Sequence, residues 1–600
     1  MATGRSDQAR GWGELSLPGA TSRIGASILA AKKQYSASVC YTVSVMEKIQ
    51  TALNYIVSDL LGTDTVAELT RPDEQFGDYA TNIALQLSKQ IGKNPREIAE
   101  DLAVKIRENL AETVADVSVA GPGFLNIKLS DETLLEALKA EPKKGWAGKN
   151  VVTEYSDPNP FKVLHVGHLY TSIVGNAISN LFEATGATVH RTNFGGDVGL
   201  HVGKTMWAIL QSLGGEEPEK LASIPEAERS EWMAKAYVRG TQAYEGDAAA
   251  KQEIIELNKR VYQLHADNDH DSPFAQIYWT CRQWSYDYFD AFYARIHTPF
   301  EKYYPESAVA PLGLQTVREQ LAKGVYKESD GAVVFEGEPY GLHTRVFINS
   351  HGLPTYEAKD TGLIMQKWAD YHFDKSVVIT GNDITEYMKV VLKSIEQFEP
   401  DLVARSKHVP HGNVKLAGGV KMSSRLGNFL RAVDVLDMVA EAGRELGSQE
   451  NDDTVLGAIK YAFLKQRIGP DIIFDPQESV AIEGNSGPYL QYAHARARSI
   501  LAKASEQKTG ELAGLENHER SLLRKITEYS DVVERATAEL MPHHICTYLY
   551  ELAQKFNQFY EHNRVIGDER ESVRLQLVDH YADTLKNGLN LLGITAPDRM

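Results

Sequence analysis

The spacing of apolar residues predicts short helices and strands in the first part of the chain. From residue 46, apolar side chains recur on one helical face, and Gly62 follows as a helix stop. Two more amphipathic helices are predicted, one over about 80–92 and one after Pro95. Residues 117–129 alternate around a Gly-Pro-Gly turn, as two strands would. Residues 46–140 are therefore predicted to form a small α+β domain.

The apolar pattern changes after a linker at 143–145. Residues 151–155 form a strand-like run, a long helical period ends at Gly186, and a second strand-like run follows. This βαβ succession is typical of a doubly wound parallel sheet. Residues 376–380 form another candidate strand of the same sheet. The sequence therefore predicts an α/β, Rossmann-type parallel-sheet core over 148–440, with a largely helical insertion at about 205–330.

The two ends of the chain differ from this core. After about residue 440 the period is almost entirely helical, so 441–600 are predicted to form an all-α bundle. Residues 1–45 hold five basic residues, two acidic residues and many serines. We interpret them as a disordered leader or as translated sequence upstream of a start at Met46, with a transit peptide as the alternative.

Composition narrows the classes of function. The chain has 600 residues, of which 43% are hydrophobic, and a net charge of −18, which excludes a protein that coats nucleic acid or anionic membrane over its whole surface. A local basic patch is still allowed. The cysteines, Cys40, Cys281 and Cys546, are too scattered for a disulfide framework or a thiolate zinc site, and they fit a reducing compartment. No stretch approaches the ~18 apolar residues of a membrane span.

A candidate phosphate site lies in the stretch TEYSDPNPFKVLHVGH, residues 153–168. A strand ends there, a proline-rich loop follows, and His165, Gly167 and His168 begin a helix. Ligands bind at the carboxyl ends of parallel strands, and a helix N-terminus attracts anions. Two imidazoles three residues apart can both donate to one phosphate, and the glycine lets a flat base approach the backbone. Two histidines packed by chance near a helix start are the alternative reading.

A second signal, VKMSSRLGN at 420–428, follows Gly418-Gly419 near the end of the predicted core. Lys421 is a cation on a glycine-rich loop, and such a cation can meet a pyrophosphate as charge develops on it. A lone loop lysine is usually solvated. Together with the upstream HVGH, Lys421 predicts a second half of the phosphate site.

HVGH and KMSSR resemble the HIGH and KMSKS signatures of class I aminoacyl-tRNA synthetases, and the wider sequence resembles the arginyl-tRNA synthetase family. The resemblance extends over nearly all of residues 46–600. The matching segments are FGDYATNIALQLSK (76–89), AGPGFLNIKLS (120–130), EYSDPNPFKVLHVGHL (154–169), FGGDVG (194–199), EGNSGPYLQYAHARARSI (483–500) and the ending LNLLGITAPDRM. The resemblance implies an N-terminal tRNA-binding domain at 46–140, a class I catalytic domain at 148–440 with its KMSSR loop at 418–428, and a helical anticodon-binding domain at 441–600.

The family resemblance implies an arginine–tRNA ligase. Such an enzyme activates L-arginine with ATP to arginyl-adenylate, with Mg²⁺ assisting on the phosphates, and transfers arginine to the terminal adenosine of its tRNA. Its catalytic residues here are His165, His168, Lys162 and Lys421, and Lys162 is expected to replace the second lysine of KMSKS, whose position Ser424 holds. The implied ATP-binding residues are His165, Gly167, His168, Lys421, Ser423 and Ser424.

The resemblance also implies an arginine pocket that contains carboxylates, because a guanidinium is a permanently charged planar fork. The matching positions are Glu154, Ser156, Asn159, Tyr356, Asp360 and Asn382. The family's glutamine segment after the later strand reads Gly381-Asn382-Asp383 here, and whether Asn382 or Asp383 takes over its arginine contact stays open.

Expected tRNA contacts lie at both ends of the chain, where aromatic residues can stack bases and arginines can meet phosphates. The candidates are Phe76, Tyr79 and Asn82 for the tRNA elbow, with core packing as the alternative for Tyr79, and Tyr489, Gln491, Tyr492 and Arg496 in the anticodon-binding domain.

Two alternative functions remain at this stage. One is a noncatalytic tRNA-binding paralogue, against which the retained histidines, lysines and carboxylates argue. The other is a class I synthetase for another amino acid, which would have no use for Glu154 and Asp360, and the cysteinyl type would need zinc. The expected partners are arginine-specific tRNA, L-arginine and ATP, with no zinc or protein-bound metal and no membrane. The resemblance implies a monomeric, cytoplasmic protein.

Overall fold

The computed structural model describes residues 45–418, 430–446, 451–504 and 514–600. Apart from Val45, the predicted leader lies outside these ranges, as do the predicted KMSSR site residues Lys421, Ser423 and Ser424. The chain divides into two compact units between Lys128 and Leu129. The domain boundaries drawn from the sequence stay predictions.

The described part of the first unit packs helices against a small sheet. Asn94 caps one helix by accepting the N–H of Arg96 at 2.9 Å, and Pro95 occupies its first turn. The sheet has the order β1-β3-β2, with β1 antiparallel to β3. The elements are α1 (Val45–Leu61), β1 (Tyr79–Thr81), α2 (Ile83–Ile91), α3 (Pro95–Asn109), β2 (Val114–Ala120) and β3 (Phe124–Leu129).

In the described residues, the second unit is built on a five-stranded parallel sheet. Its strand order is β11 (Ser406–His411), β10 (Lys375–Gly381), β4 (Asn150–Glu154), β5 (Thr188–Gly195) and β6 (Lys302–Pro305). Glu154 pairs in register with Thr192 and Val378, so the strand ends meet at one edge, where ligands of such sheets bind. This parallel core confirms the predicted fold class. Its first elements are α4 (Asp131–Ala137), β4 (Asn150–Glu154), α5 (Val166–Ala184) and β5 (Thr188–Gly195).

Long helices lie between β5 and β6, largely within the helical insertion predicted at about 205–330. The main sheet resumes inside that range with β6 (Lys302–Pro305), which pairs with β5. The short Lys-Tyr-Tyr-Pro strand carries no visible period, which is why the sequence missed it. The elements are α6 (Leu200–Leu213), α7 (Arg229–Gly246), α8 (Ala248–Ala266), α9 (Pro273–Arg295), β6 (Lys302–Pro305) and α10 (Glu306–Ala322).

The second half of the sheet follows a small antiparallel sheet of order β7-β8-β9. Helix α11 then leads into β10, and α12 starts just beyond the end of β10. The elements are β7 (Lys327–Ser329), β8 (Ala332–Phe335), β9 (Arg345–Ile348), α11 (Tyr356–Tyr371), β10 (Lys375–Gly381), α12 (Thr385–Glu396), α13 (Pro400–Arg405), β11 (Ser406–His411) and β12 (Val414–Leu416).

The C-terminal part is helical, as predicted, apart from one short strand that pairs with β12. Helix α5 is buried on nearly all sides, because it packs against β4, β5 and β10 and also against α15, α19 and α21. The elements are α14 (Ala432–Glu445), α15 (Asp452–Leu464), β13 (Ile472–Phe474), α16 (Pro476–Ser479), α17 (Gly487–Lys503), α18 (Asn517–Ile526), α19 (Tyr529–Glu539), α20 (His543–His562) and α21 (Glu571–Leu591). No helix in the described ranges has the length and apolarity to cross a membrane.

Candidate active site

The two histidines of HVGH cap the N-terminus of α5 with their own side chains. The Nδ1 atom of His165 accepts the N–H of Gly167 at 3.1 Å. In return, the N–H of His165 donates to Nδ1 of His168, also at 3.1 Å. The rings stack with their centroids 3.7 Å apart. The reciprocal cap therefore fixes both imidazoles at the edge of the sheet.

This arrangement determines where each ring carries its proton. Burial, together with the charge of Lys162, lowers the pKa of His165 to about 4. Burial and the neighbouring His165 and Lys162 hold the pKa of His168 well below its ordinary value. Both rings are therefore neutral at neutral pH. Because each Nδ1 accepts a backbone N–H, each Nε2 carries the hydrogen and is the donor that a phosphate can use.

Gly167 lies against the ring of His165, and the charge of Lys162 acts on both histidines. A Cβ atom on Gly167 would come within 2.8 Å of Cε1 of His165, so the missing side chain makes room for the imidazole. Lys162 lies close enough to lower the pKa of both histidines, and its Nζ is 4.4 Å from the ring centroid of Tyr237. The predicted cation is therefore beside the predicted phosphate donors.

The loop between β4 and α5 has a strained, well-anchored backbone. Ser156, Asp157 and Phe161 all have positive φ angles, of 74°, 51° and 68°. The hydroxyl of Ser156 lies 2.6 Å from that of Tyr293. The side-chain oxygen of Asn159 accepts the N–H of Gly196 at 2.8 Å. These bonds hold the loop across the ends of β4 and β5.

Two predicted arginine-binding carboxylates, Glu154 and Asp360, meet at the end of β4. Glu154 is buried and forms an ion pair with Lys367, and all three residues line one small cavity of about 10 Å³. Asp360 accepts a hydrogen bond from the hydroxyl of Tyr387. Burial raises the pKa of Asp360 well above its usual range, and the charges of Glu154 and Glu306 add to the shift. A cation bound here would relieve that repulsion.

Two other predicted pocket residues, Tyr356 and Asn382, are exposed. Tyr356 begins α11, one turn before Asp360, and is 56% exposed. Asn382 and Asp383 are exposed in a short turn after β10. The charge of Asp383 acts on His165 and His411, so this carboxylate lies near the phosphate half of the site.

Several buried polar residues of the site were missed by the sequence. Asp157 accepts the N–H of Phe194 at 2.8 Å, and burial and the charge of Glu154 raise its pKa well above the usual range. Asp197 is buried and accepts hydrogen bonds from Arg282 at 2.9 Å and from the hydroxyl of Ser307 at 2.7 Å. Asp157 directly precedes the Pro-Asn of the motif and Asp197 lies in FGGDVG, so their positions were visible but their partners were not.

Two further partners, Glu306 and Lys359, form a buried ion pair beside the site. Burial raises the pKa of Glu306, against the opposing effect of Lys359. A Cβ atom on Gly196 would come within 3.0 Å of the Glu306 carboxylate and 2.6 Å of the Asn159 side-chain oxygen. Glu306 therefore lies next to the loop that carries Asn159.

The chain that follows the KMSSR segment is joined to the histidine motif. Beyond the undescribed residues 419–429, the N–H of Val166 donates to the carbonyl of Leu430 at 2.9 Å. The N–H of Ala432 donates to the carbonyl of Leu164, also at 2.9 Å. The predicted second half of the phosphate site is thus covalently continuous with residues that pair beside His165.

The predicted tRNA residues of the first unit separate into surface and core. Phe76 is 49% exposed, and Asn82 is an exposed residue just before α2. Tyr79 is only 2% exposed, and the guanidinium of Arg71 lies 4.5 Å from its ring centroid. The burial of Tyr79 argues against a direct contact with tRNA and favours the core alternative.

The predicted tRNA face on α17 also separates into two sides. Tyr489, Tyr492 and Arg496 share one side, with Tyr492 46% exposed and Arg496 stacked 4.5 Å from the ring centroid of Tyr560. Gln491 is fully buried on the other side, where its amide donates to the carbonyls of Asp453 and Thr595. This burial argues against a direct contact between Gln491 and tRNA.

Within the described ranges, no group of three or more His, Cys, Asp or Glu residues is arranged to hold a metal ion. The carboxylates of the site suit a cation with several N–H donors, and the two histidines suit a phosphate. Mg²⁺ binds readily through substrate phosphates without a protein cage.

This chain is similar to known proteins over most of its length. Three family models match in succession: "Arginyl tRNA synthetase N terminal domain" over 44–129, "tRNA synthetases class I (R), catalytic domain" over 131–474, and "DALR anticodon binding domain" over 490–600. An arginine–tRNA ligase of Flavobacterium psychrophilum is 30% identical over 83% of this chain and 89% of its own length. The arginine–tRNA ligase of Phocaeicola vulgatus is 28% identical over 93% of this chain and all of its own length.

Solved structures give the same relationship. The arginyl-tRNA synthetase of Thermus thermophilus has a TM-score of 0.76 at 25% identity, and the match covers 92% of this chain and 100% of that one. The Plasmodium falciparum arginyl-tRNA synthetase, at 22% identity, shares the fold with a TM-score of 0.77 over 93% of this chain and 100% of its own. Because the catalytic-domain model alone matches more than half of its residues, this chain belongs to the arginyl-tRNA synthetase family of class I aminoacyl-tRNA synthetases.

Proposed function

We propose that this chain is an arginine–tRNA ligase, which joins L-arginine to its cognate tRNA with ATP as the energy source. The observation that carries the proposal is the arrangement at one sheet edge. A helix capped by His165 and His168 lies beside the carboxylates of Glu154 and Asp360. One half suits a phosphate, and the other suits a guanidinium.

The carboxylate half holds the side chain of arginine. A buried guanidinium must be paired, and carboxylates match its fork. Glu154 and Asp360 are the proposed carboxylate partners of the guanidinium, and they line one cavity together with Lys367. The remaining proposed contacts are Ser156, Asn159, Tyr356 and Asn382.

The histidine half holds ATP. The Nε2–H groups of His165 and His168 donate to the phosphates, most strongly when charge develops in the transition state. Lys162 adds a fixed positive charge beside them. Gly167 lies under the adenine. The KMSSR segment supplies Lys421, Ser423 and Ser424, and Mg²⁺ enters with the phosphates of ATP.

The reaction proceeds in two displacements. A carboxylate oxygen of arginine bonds to the α-phosphorus of ATP, the bond from that phosphorus toward the β-phosphate breaks, and pyrophosphate leaves with the electron pair. The 2′-hydroxyl of the terminal adenosine then bonds to the arginyl carbonyl carbon, AMP leaves and the hydroxyl proton is released. Both steps depend on positioning and charge stabilisation, without a protein nucleophile.

The tRNA is held at both ends of the chain. In the first unit, exposed Phe76 and Asn82 are the proposed contacts with the elbow. On α17, Tyr489, Tyr492 and Arg496 are the proposed contacts with anticodon bases and phosphates, because aromatic faces stack bases and arginine meets phosphate. We also propose that the enzyme is a cytoplasmic monomer; analytical ultracentrifugation gives its mass against the 66.6 kDa of the chain.

The test is arginine-dependent exchange of pyrophosphate into ATP, with and without total tRNA, and with the other amino acids as controls. We expect exchange with arginine only, and only when tRNA is present. Exchange with arginine in the absence of tRNA would keep the function and reject tRNA-dependent activation. Absence of exchange with every amino acid, despite tight tRNA binding by folded protein, would contradict the proposal. The comparisons give no support to such a noncatalytic protein.

A further inference from the structure

A tyrosine that the sequence analysis did not single out contacts Asp360 of the proposed arginine pocket. The hydroxyl of Tyr387 donates a hydrogen bond to Oδ2 of Asp360. Tyr387 lies in the first turn of α12, just after β10, and Asp360 lies on α11. The two residues are 27 positions apart, so only the fold brings them together.

The ring of Tyr387 is held from two directions. One side packs against the apolar cluster that contains Met388 and Val391 of its own helix. The guanidinium of Arg345 lies 5.5 Å from the ring centroid, and Nη1 of Arg345 is 3.3 Å from a carboxylate oxygen of Glu357. Glu357 lies on the same helix as Asp360. The hydroxyl is therefore presented to Asp360 from a fixed position.

The chemistry of this contact differs from that at the neighbouring carboxylate. Glu154 is paired with the charged ammonium of Lys367, which balances its negative charge. Asp360 receives its hydrogen bond from a neutral phenol, which orients the carboxyl group and adds no positive charge to balance it. A pocket for a permanently charged guanidinium needs such a group, fixed in direction and able to pair with the arriving cation.

We propose that Tyr387 is a positioning residue of the arginine pocket, whose hydroxyl holds the Asp360 carboxylate in the orientation that the guanidinium needs. This inference rests on the proposed function. The segment after β10 then reaches the arginine side chain through Tyr387, while Asp383 acts on His165 at the other half of the site.

The test is Tyr387→Phe, which removes one oxygen atom and keeps the ring. We expect the KM for arginine in tRNA aminoacylation to rise about tenfold, with kcat and the KM for ATP within about twofold of wild type. Tenfold corresponds to about 1.4 kcal/mol, slightly below the usual range for a hydrogen bond to a charged group. The matched control is Tyr326→Phe, whose hydroxyl donates to Ser394 on the same helix α12 at 3.2 Å, and which should leave all three constants unchanged.

The melting temperature of each variant and a calorimetric titration of arginine into the folded proteins accompany the kinetics. The titration should show weaker arginine binding by the same factor for Tyr387→Phe alone. An unchanged or lower KM for arginine, or an equal rise in the KM values for arginine and ATP, would show that Tyr387 does not position Asp360. A wild-type protein that attaches no arginine to tRNA would instead overturn the proposed function on which this inference rests.

Discussion

In the proposed function, His165 and His168 serve the helix and the phosphate with different atoms. Each accepts a backbone N–H at the start of α5 through Nδ1, so that the ring hydrogen is on Nε2. Protonation of Nδ1 would break the cap, and burial lowers the pKa of both rings and so opposes it. The same pair of bonds therefore holds the ring orientation and the proton position that the proposed chemistry needs.

The substitution Asp360→Asn removes the charge of the side chain and hardly changes the size of that side chain. Because loss of one partner of a buried ion pair costs about 3–5 kcal/mol, Asp360→Asn should raise the KM for arginine by about a hundredfold or more. The KM for ATP should change far less, since the phosphate donors are untouched. Steady-state aminoacylation at varied arginine and varied ATP gives both constants.

Asp370→Asn is the matched control for Asp360→Asn. It lies on the same helix α11 and contacts Lys302 and Tyr304, away from the pocket. Its constants should match those of wild type. Equal effects of Asp360→Asn on both substrates would refute the assignment of the pocket.

For single residues, the sequence indicates the candidate pocket residues but not the side chains that they contact. The family signature singled out Glu154 and Asp360. Their partners Lys367 and Tyr387 lie 213 and 27 positions away, on helices whose patterns only indicate burial. A single sequence contains no signal for such pairs, because they depend on how helices pack on the sheet.

Among the elements, helix α5 connects the edge of the sheet with the C-terminal helices. It starts at the proposed phosphate site, runs along the sheet and packs against helices α14, α15, α19 and α21, so that nearly all of its sides are buried. The βαβ pattern and the mainly helical C-terminal part were readable from the sequence. Strand β6 was not, because four residues are too few to establish a period and the helices before it dominated the pattern.

Gly167→Ala tests whether the first turn of α5 must hold the His165 ring in its position. The added Cβ would lie 2.8 Å from the His165 ring, which must move and abandon its bond to the N–H of residue 167. We expect kcat for pyrophosphate exchange to fall by about tenfold or more, since a misplaced donor loses its transition-state contact. Melting should change little, because alanine favours helix.

Gly145→Ala is the matched control, since no atom lies within 4 Å of the Cβ that it would add. It should exchange pyrophosphate at the wild-type rate. Wild-type exchange by Gly167→Ala as well would mean that the position of the His165 ring is unimportant for activation.

The whole molecule carries a net charge of −18, yet its proposed partner is a polyanion. Recognition of tRNA must therefore be local. On α17, the side proposed to contact tRNA differs from the side that packs against α21. Arg496 stacks on Tyr560 on the side that holds exposed Tyr492. Arg498, half a turn further, forms ion pairs with Asp579 and Asp583 of α21. The two arginines are alike in sequence, and only the packing of α17 against α21 separates their environments.

Arg496 and Arg498 therefore make a paired prediction on one helix. Arg496→Ala should raise the KM for tRNA by about fivefold to a hundredfold, since a contact with one base or phosphate is worth about 1–3 kcal/mol, and should reduce the salt dependence of tRNA binding. The constants for arginine and ATP should not change.

Arg498→Ala should instead lower the free energy of unfolding by about 1 kcal/mol, because its ion pairs are partly exposed, and should leave the KM for tRNA unaltered. Filter binding at several salt concentrations, with denaturant unfolding alongside, measures both. A larger loss of tRNA affinity in Arg498→Ala than in Arg496→Ala would place the tRNA on the opposite side of α17.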